Sequence, residues 1–177
     1  MSVLDATTGA VLSTIMMPGN PASVAVNSSQ NRAFVANSGA NTVRVLDATT
    51  GAVIGAPIMV GMSPQGVAVN SSQNRVFVAN SASGTVSVLD ATSGAVLATI
   101  PVGRRMGPEG VAVDSVSNRV FVTMAVAGTV WVLDGTTGAV IGAPIMVGAG
   151  PVGVAVNSSQ NRVFVTNNAA GTVSVLN

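Results

Sequence analysis

Aspartate residues recur at regular places along the sequence, each at the start of an Asp-x-Thr-x-Gly segment. These residues are Asp5, Asp47, Asp90 and Asp134. Carboxylates of this kind could bind a metal ion or transfer protons. Because the segment recurs in each repeat, we interpret the Asp as a turn residue that accepts backbone hydrogen bonds at a strand end, with the Gly at positive φ. Asp114 replaces an Asn at another recurring turn, and we interpret it in the same way.

One segment, residues 103–109, departs from the repeat. It contains one extra residue and the charged residues Arg104, Arg105 and Glu109. It lies between two repeats, where a loop could border a central channel. Together with Asp114, these side chains could form the carboxylate and guanidinium cluster of a channel-lining hydrolase or lyase. The alternatives are a site for a ligand or partner, and a variable solvated loop without a function.

A second departure concerns one position in the middle of a repeated apolar segment. The equivalent residues there are Arg44, Ser87, Trp131 and Ser174. A single buried position could not accept all of these side chains, so we expect the position to be exposed. Trp131 and Arg44 are therefore candidate contact residues for a ligand or partner.

The residue types that are absent exclude several reaction classes. The 177 residues include no His, Cys, Lys or Tyr. Without His or Cys, the usual nucleophile and base triads, thiol chemistry and zinc sites cannot be built. The Gly-Lys-Ser/Thr phosphate-binding motif is absent as well. We therefore predict that the protein is not an enzyme, and we assign no catalytic, metal-binding or cofactor-binding residue and no cofactor.

The charge pattern bears on possible partners. Seven Arg residues balance six acidic residues, for a net charge of +1. Nucleic-acid-binding proteins cluster their basic residues, whereas only Arg104 and Arg105 are adjacent here, so we expect no nucleic-acid partner. Apolar runs such as residues 53–60 contain Gly and Pro and fall short of the roughly 20 residues of a transmembrane helix. The N-terminus enters the repeat without a basic and apolar signal segment. We expect a soluble protein without membrane insertion.

The four Phe residues reveal an internal repeat. They are Phe34, Phe77, Phe121 and Phe164, spaced 43, 44 and 43 residues apart. Each follows an Arg by two positions, with Pro-x-x-Val-Ala-Val upstream and Thr-Val-x-Val-Leu-Asp (Asn in the last copy) downstream. The chain thus holds four repeats of 42–44 residues. Their approximate ranges are residues 21–63, 64–107, 108–150, and 151–177 completed by 1–20.

Each repeat predicts four short strands separated by turns rich in Gly, Asn, Ser and Asp. In the second repeat these are residues 67–69, 75–79, 85–89 and 95–102. Four antiparallel strands per unit of about 40–45 residues are typical of a β-propeller blade. We therefore predict an all-β fold in which residues 1–177 form one β-propeller, or half of one, built from four-stranded antiparallel blades.

Two segments of the repeat carry a resemblance to a known family. Phe-Val-Thr-Asn at residues 164–167 and Phe-Val-Ala-Asn at residues 77–80 resemble the Tyr-Val-Thr-Asn signature of the YVTN-family propeller repeat. The flanking Pro-x-Gly-Val-Ala-Val and Val-x-Val-Leu-Asp segments are similar too, so the resemblance covers essentially the whole chain. Phe replaces the signature Tyr in every copy, and Met124 replaces the final Asn in the third. The resemblance implies a secreted or cell-surface protein of a bacterium or archaeon.

The two ends of the chain decide how a ring could close. Residues 2–5 and 172–177 are two copies of the third strand, and residues 10–17 match the fourth strand, which the last repeat lacks. We expect residues 10–17 to complete the last blade, so that N- and C-terminal strands pair in one sheet. One of the two third-strand copies should then pair while the other frays or is displaced.

Three closures are compatible with this pattern. The small Val-Ala-Val segments near the axis fit a modest angle between blades, which favours an eight-bladed ring of two chains, and therefore a homodimer, over a closed four-bladed monomer. The third possibility is that the chain is a piece of a longer array of repeats.

The near identity of the repeats bears on function. Such an array has had little reason to make one blade chemically different, which indicates recent duplication or design. We therefore favour a non-enzymatic binding or scaffold propeller with an unknown protein or glycan partner. The first alternative is a self-assembling structural module. The second, which we regard as disfavoured, is a hydrolase or lyase with a channel-lining site.

Overall fold

In the computed structural model, which describes residues 1–103 and 106–177, short turns join antiparallel β-strands. The chain begins with a two-stranded unit, the N-terminal hairpin, formed by β1 (Ser2–Leu4) and β2 (Val11–Thr14). No helix in the described part of the chain is long and apolar enough to cross a membrane.

Three complete four-stranded sheets, the first, second and third blades, follow the hairpin. In each, neighbouring strands are consecutive along the chain. The first blade contains β3 (Pro21–Asn27), β4 (Arg32–Asn37), β5 (Thr42–Asp47) and β6 (Val53–Met59). The second contains β7 (Pro64–Asn70), β8 (Arg75–Asn80), β9 (Thr85–Asp90) and β10 (Val96–Pro101). The third contains β11 (Pro108–Asp114), β12 (Arg119–Met124), β13 (Thr129–Asp134) and β14 (Val140–Met146).

The last unit, the C-terminal sheet, has three strands. They are β15 (Pro151–Asn157), β16 (Arg162–Asn167) and β17 (Thr172–Leu176). One-turn 3-10 helices at Ser28–Gln30 and Ser158–Gln160 occupy the turns after β3 and β15. This order of repeated antiparallel sheets confirms the predicted all-β fold of four-stranded blades.

The first strand of each blade is longer than its apolar residues indicate. Sequence patterning predicts only residues 67–69, whereas β7 runs from Pro64 to Asn70. A Pro is tolerated at the first position of a strand, where its lack of an N–H group costs no ladder hydrogen bond. These first strands contact one another from blade to blade, β3 with β7, β7 with β11 and β11 with β15.

Phenylalanines pack one blade on the next. Phe34 lies in a cluster with Val76 and Leu89 of the second blade. Phe77 lies with Val120 and Leu133 of the third blade in the same way. Because both blade faces are covered, every residue of β8 except its first is buried. This explains why the strands are almost continuously apolar.

The two ends of the chain do not pair with each other, contrary to our expectation. The N-terminal hairpin and the C-terminal sheet are separate units, and β2 pairs only with β1. Neither copy of the third strand frays, since β1 pairs with β2 and β17 pairs with β16. The physical reason is that the hairpin packs on the first blade, where Met1, Ile15 and Met17 cover a cluster at one end of the stack.

Candidate functional site

The repeated aspartates are turn residues, as the sequence predicts. Asp47 Oδ1 accepts hydrogen bonds from the backbone N–H groups of Thr49 (3.0 Å) and Thr50 (2.7 Å). Gly51 follows with a φ of 75°. The N–H of Thr50 is the main reason that the pKa of Asp47 lies below its usual value. Asp90 and Asp134 make the same turn. Among the described residues, no three acidic side chains come together where they could hold a metal ion.

The two described carboxylates of the alternative enzymatic site, those of Glu109 and Asp114, do not converge. Glu109 accepts a hydrogen bond from Ser81 Oγ at 3.0 Å, near the start of β11. Asp114 ends the same strand, about 16 Å further on at roughly 3.3 Å per residue. Its carboxylate accepts hydrogen bonds from the N–H of Val116 (3.0 Å) and from Ser117 Oγ (2.6 Å). Arg104 and Arg105 lie outside the described residues, so their contact role stays a prediction.

The expected exposure of the varying third-strand position is wrong. Ser87 is buried at 1% exposure, and Arg44 and Trp131 are half-buried. Trp131 packs against the cluster that contains Phe77 and Met124. Ser87 and Ser174 occur where the second strand ends in Asn, and Trp131 occurs where it ends in Met124, whereas nothing in the structure explains why Arg44 accompanies Asn37. A contact role for Trp131 or Arg44 stays a prediction.

A hydrogen-bonded pair of polar side chains, which sequence reasoning missed, explains why the position is Ser in two repeats. Asn80 Nδ2 donates to Ser87 Oγ at 2.9 Å, and Asn167 Nδ2 donates to Ser174 Oγ at 2.9 Å. In the third blade, Met124 replaces the Asn where Trp131 replaces the Ser. The sequence carries this signal, because the two substitutions occur in the same repeat.

Arginines at the start of the second strand join one blade to the next. Arg32 Nη1 donates to the carbonyl oxygen of Ala91 at 3.1 Å and also to that of Thr92, in the Asp turn of the second blade. Arg75 Nε donates to the carbonyl of Thr136 in the third blade at 3.3 Å. Each of these arginines therefore binds the backbone of the turn that follows the third strand of its neighbour.

The C-terminal sheet exposes an apolar face. Phe164 is 41% exposed, whereas Phe77 is fully buried. Residues along β16 alternate strictly between exposed and buried, since only the face toward the third blade is covered. Val173 and Val175 of β17 are also exposed, at 59% and 53%. Unlike Phe34 and Phe77, Phe164 therefore does not join two blades within one chain.

A cavity of about 260 Å³ lies between the third blade and the C-terminal sheet. We call it the terminal cavity. Its polar lining includes two guanidinium groups, one carboxylate and two amides. These belong to Arg119, Arg162, Asp114, Asn161 and Asn177. Phe121 and Leu176 contribute to its apolar wall.

The opposite end of the stack also has cavities. A cavity of about 220 Å³ lies between the N-terminal hairpin and the first blade, lined in part by Val3, Ala33 and Leu46. A second one, of about 180 Å³, is lined by Met1, Val24 and Val35 among others. Both lie on the face of the first blade that the hairpin covers only in part. Open cavities therefore lie at both ends of the stack.

Three solved structures are similar to this chain in fold. The hydrazine synthase of Kuenenia stuttgartiensis matches with a TM-score of 0.81 at 20% identity over 94% of this chain and 48% of its own. The computationally designed Ika4 protein matches with a TM-score of 0.74 at 21% identity, over 93% and 94% of the two chains. A streptogramin B lyase matches with a TM-score of 0.73 at 15% identity, over 91% and 56%. The fold is a β-propeller.

These likenesses show the fold alone, because all three identities are low. The chain spans about half the length of the hydrazine synthase and lyase chains. No protein-family model matches the sequence, so the resemblance to YVTN repeats rests on the motifs. No curated protein matches it in sequence either.

Proposed function

We propose that the chain is a non-enzymatic scaffold propeller that completes its ring by joining a second copy of itself. The observation that carries this proposal is the exposure of Phe164, which lies at the position where Phe34 and Phe77 are fully buried against a following blade. A side chain repeated for blade packing is stabilising only when a blade covers it. Burial of a Phe contributes roughly 1.5–3 kcal/mol relative to exposure.

The first blade of a second copy offers the matching surface. Phe77 packs on the second and fourth residues of β12, Val120 and Val122, and on Leu133 near the end of β13, as part of one cluster. The equivalent residues of the first blade are Ala33, Val35 and Leu46, which are buried beside Met1, Ile15 and Met17 of the N-terminal hairpin at that end of the stack. The proposed joint therefore repeats the contact that already holds neighbouring blades together.

Two chains account for a complete ring without a spare apolar face. Each chain has three four-stranded sheets, and its three-stranded C-terminal sheet would become a fourth blade with the hairpin of the other chain. Two copies then give twice four, or eight, blades. Ring closure would also remove the free edge of the C-terminal sheet, and such edges are sites of aggregation.

The solution mass tests this proposal. Light scattering coupled to size-exclusion chromatography should give twice the 17.4 kDa of the chain. Phe164→Ser should shift the protein towards monomer, because it removes the central apolar contact of the joint. Val126→Ser is the matched control, since Val126 is 75% exposed in a turn away from both ends. A monodisperse monomer of the unaltered chain at high micromolar concentration would falsify the proposal.

The resemblance to YVTN repeats supports a location as well. We infer that the ring acts at the cell surface or as a secreted protein, where its repeated turns would be available to partners. Fractionation of the source cells with an antibody against the protein tests this inference. Detection confined to the cytosolic fraction would contradict it.

A further inference from the structure

Each complete blade joins its second and third strands through an Asp and an Asn. In the second blade, Asp90 Oδ1 accepts from the N–H of Ser93 at 2.7 Å, within its own turn. Its other oxygen, Oδ2, accepts from Asn74 Nδ2 at 2.8 Å. In the first blade, Asn31 Nδ2 donates the same kind of hydrogen bond to Asp47 Oδ2 at 3.0 Å. The carboxylate thus uses one oxygen for its turn and the other for an amide at the base of the second strand.

The two ends of the chain carry one half of this arrangement each. In the N-terminal hairpin, Asp5 Oδ1 accepts from the N–H groups of Thr7 (2.8 Å) and Thr8 (2.7 Å). The two strands of the hairpin correspond to the third and fourth strands of a blade. The hairpin therefore has no counterpart of a blade's second strand that could supply an amide to the other oxygen of Asp5. In the C-terminal sheet, Asn161 holds the place of Asn74, with a φ of 50° against 54°. Here Asn177 stands where the other blades have Asp.

The arginine pattern points to the same complement. Arg32 and Arg75 each bind backbone carbonyls of the Asp turn in the following blade. Arg119 is their equivalent in the third blade, and it lines the terminal cavity. By this pattern, the cavity is the place of an Asp turn that belongs to the fourth blade. Residues 5–9 of the hairpin form such a turn.

Charge favours the same occupant. The terminal cavity combines the guanidinium groups of Arg119 and Arg162 with one carboxylate, that of Asp114, which already accepts two hydrogen bonds at its own turn. A further carboxylate at this place would gain charge-assisted hydrogen bonds, which are the stronger ones. Within the chain, Arg162 donates to the neutral Oδ1 of Asn177.

The hairpin is held together by hydrogen bonds between its own strands, so it can pair with another sheet as one unit. The N-terminal ammonium group of Met1 donates to the carbonyl of Ile15 at 2.9 Å, and the N–H of Ile15 donates back to Met1 at 2.8 Å. At its other end, the N–H of Asp5 donates to Ala10 at 2.8 Å. The opposite edge of β1 is free, and it corresponds to the edge by which β17 pairs with β16.

We propose that the N-terminal hairpin of a second copy takes the place of β17 in the C-terminal sheet and that its turn, residues 5–9, fills the terminal cavity. This inference rests on the proposed two-copy ring and names its contact. Asp5 of the second copy binds Asn161 and Arg162, and Arg119 binds the carbonyls of the same turn. The displaced β17 leaves the sheet.

Cysteine crosslinking tests this contact directly, since the chain contains no Cys. Val165 is opposite Ser174 in the present sheet, and Ser2 is the equivalent of Ser174 in β1. In the proposed joint, Ser2 of one copy is therefore opposite Val165 of the other, a separation at which a disulfide can form. The double variant Ser2→Cys/Val165→Cys should give a crosslinked dimer on mild oxidation, read by non-reducing electrophoresis and intact mass.

The control is Ser13→Cys/Val165→Cys. Ser13 lies in β2 and pairs with Val3 of β1. In the proposed joint it would therefore lie one strand further from Val165 than Ser2 does, and it should not crosslink. Ser174→Cys/Val165→Cys reports the alternative, because a retained β17 gives a disulfide within one chain. Circular dichroism of each variant checks that the sheets form.

The outcomes separate this inference from the proposed function. A dimeric mass with the Ser174 disulfide and no Ser2 crosslink would overturn the exchange of β17 while the two-copy ring stands. A monomeric mass of the unaltered chain would overturn both. A Ser2 crosslink with a dimeric mass supports the exchange.

Charge reversal gives a second readout. Asp5→Arg and Arg162→Asp should each raise the dimer dissociation constant about tenfold or more, because each loses charge-assisted hydrogen bonds. The double variant should recover most of the affinity. Equal and additive weakening in the double variant would show that the two residues do not meet.

Discussion

Asn70 Nδ2 donates a hydrogen bond to Asn118 Oδ1 at 3.0 Å, from the end of the first strand in the second blade to a turn of the third. The same nitrogen is 3.3 Å from the carbonyl oxygen of Gly135. Asn70 is fully buried. Adjacent blades are therefore joined by a polar contact at one end of the strands as well as by the apolar clusters between their faces.

Replacement of this amide should destabilise the fold. Asn70→Ala removes the hydrogen bonds to the half-buried Asn118 side chain and to the carbonyl of the buried Gly135, so we expect a loss of about 1–3 kcal/mol in the free energy of unfolding. Urea denaturation followed by circular dichroism measures this loss. Asn157→Ala is the matched control at the equivalent position of the C-terminal sheet, where the side chain is exposed. Equal losses in both variants would contradict a role for the contact between blades.

The second and third strands of each blade could be predicted from sequence, but the full length of the first strand could not. The sequence predicts strands at residues 75–79 and 85–89, and the structure has Arg75–Asn80 and Thr85–Asp90. Apolar runs bounded by turn residues mark these strands clearly. In β7, Pro64 pairs with Asn80 and the next regular pair is Val67 with Val78. Residues 64–66, where the register is irregular, show no apolar pattern, so the strand predicted from the sequence is too short.

The candidate surfaces were harder to predict, because burial depends on neighbours that the repeat does not encode. Phe164 and Phe77 have nearly the same local sequence, yet only Phe77 has a blade packed on it. Similarly, Trp131 is half-buried against the cluster that contains Met124, whereas Ser87 at the equivalent position is buried beside Asn80. An alignment of repeats identifies equivalent positions, whereas the ends of the stack determine which of them are covered.

Phe77 should be the most costly apolar side chain to remove. It has no exposed surface and lies in the cluster between the second and third blades. Phe77→Ala should therefore lower the free energy of unfolding by about 3–5 kcal/mol through lost contacts and a new cavity. Denaturation at matched protein concentration measures the change. A loss below about 1 kcal/mol would refute its assignment to the core.

Trp131 should report on the core and contribute to it. As the single Trp of the chain, it should show blue-shifted fluorescence with little quenching by acrylamide. Trp131→Ala should lower the free energy of unfolding by more than about 1 kcal/mol, less than the 3–5 kcal/mol of a fully buried Trp. Trp131→Phe is the control, because it keeps an aromatic ring and removes a buried indole N–H that has no partner among the described residues. An unchanged stability of the Ala variant would restore Trp131 as a free surface residue.

Gly110 should not tolerate a side chain. A Cβ atom there would lie 2.2 Å from the carbonyl oxygen of Val152, on the neighbouring first strand. Gly110→Ala should therefore push these strands apart and cost about 1–3 kcal/mol or more. Ser23→Ala is the control, because Ser23 already bears a Cβ at the equivalent position of the first blade. Thermal unfolding of both variants compares them, and a neutral Gly110→Ala would mean that the strands separate freely.

Stability should fall at acidic pH through the Asp turns. The pKa of Asp134 is lowered chiefly by the backbone N–H of Thr137, and the pKa of Asp90 chiefly by that of Ser93. A carboxyl group with a lower pKa in the folded state stabilises the fold above the unfolded pKa, about 3.9 for Asp. That stability is lost as the pH falls through the folded pKa. The free energy of unfolding should therefore be nearly constant from about pH 8 to about pH 5, because the chain has no His, and should decline below about pH 4.

Asp134→Asn provides the control for this pH dependence. The amide oxygen can still accept the turn hydrogen bonds, as the side chain of Asn157 does from the N–H of Gln160 at 3.3 Å, but it does not titrate. The variant should lose less stability on acidification than the unaltered protein while keeping most of its stability at neutral pH. Parallel acid profiles for the two proteins would contradict the assignment of the lowered pKa to the turn, since the same backbone donors are present in both.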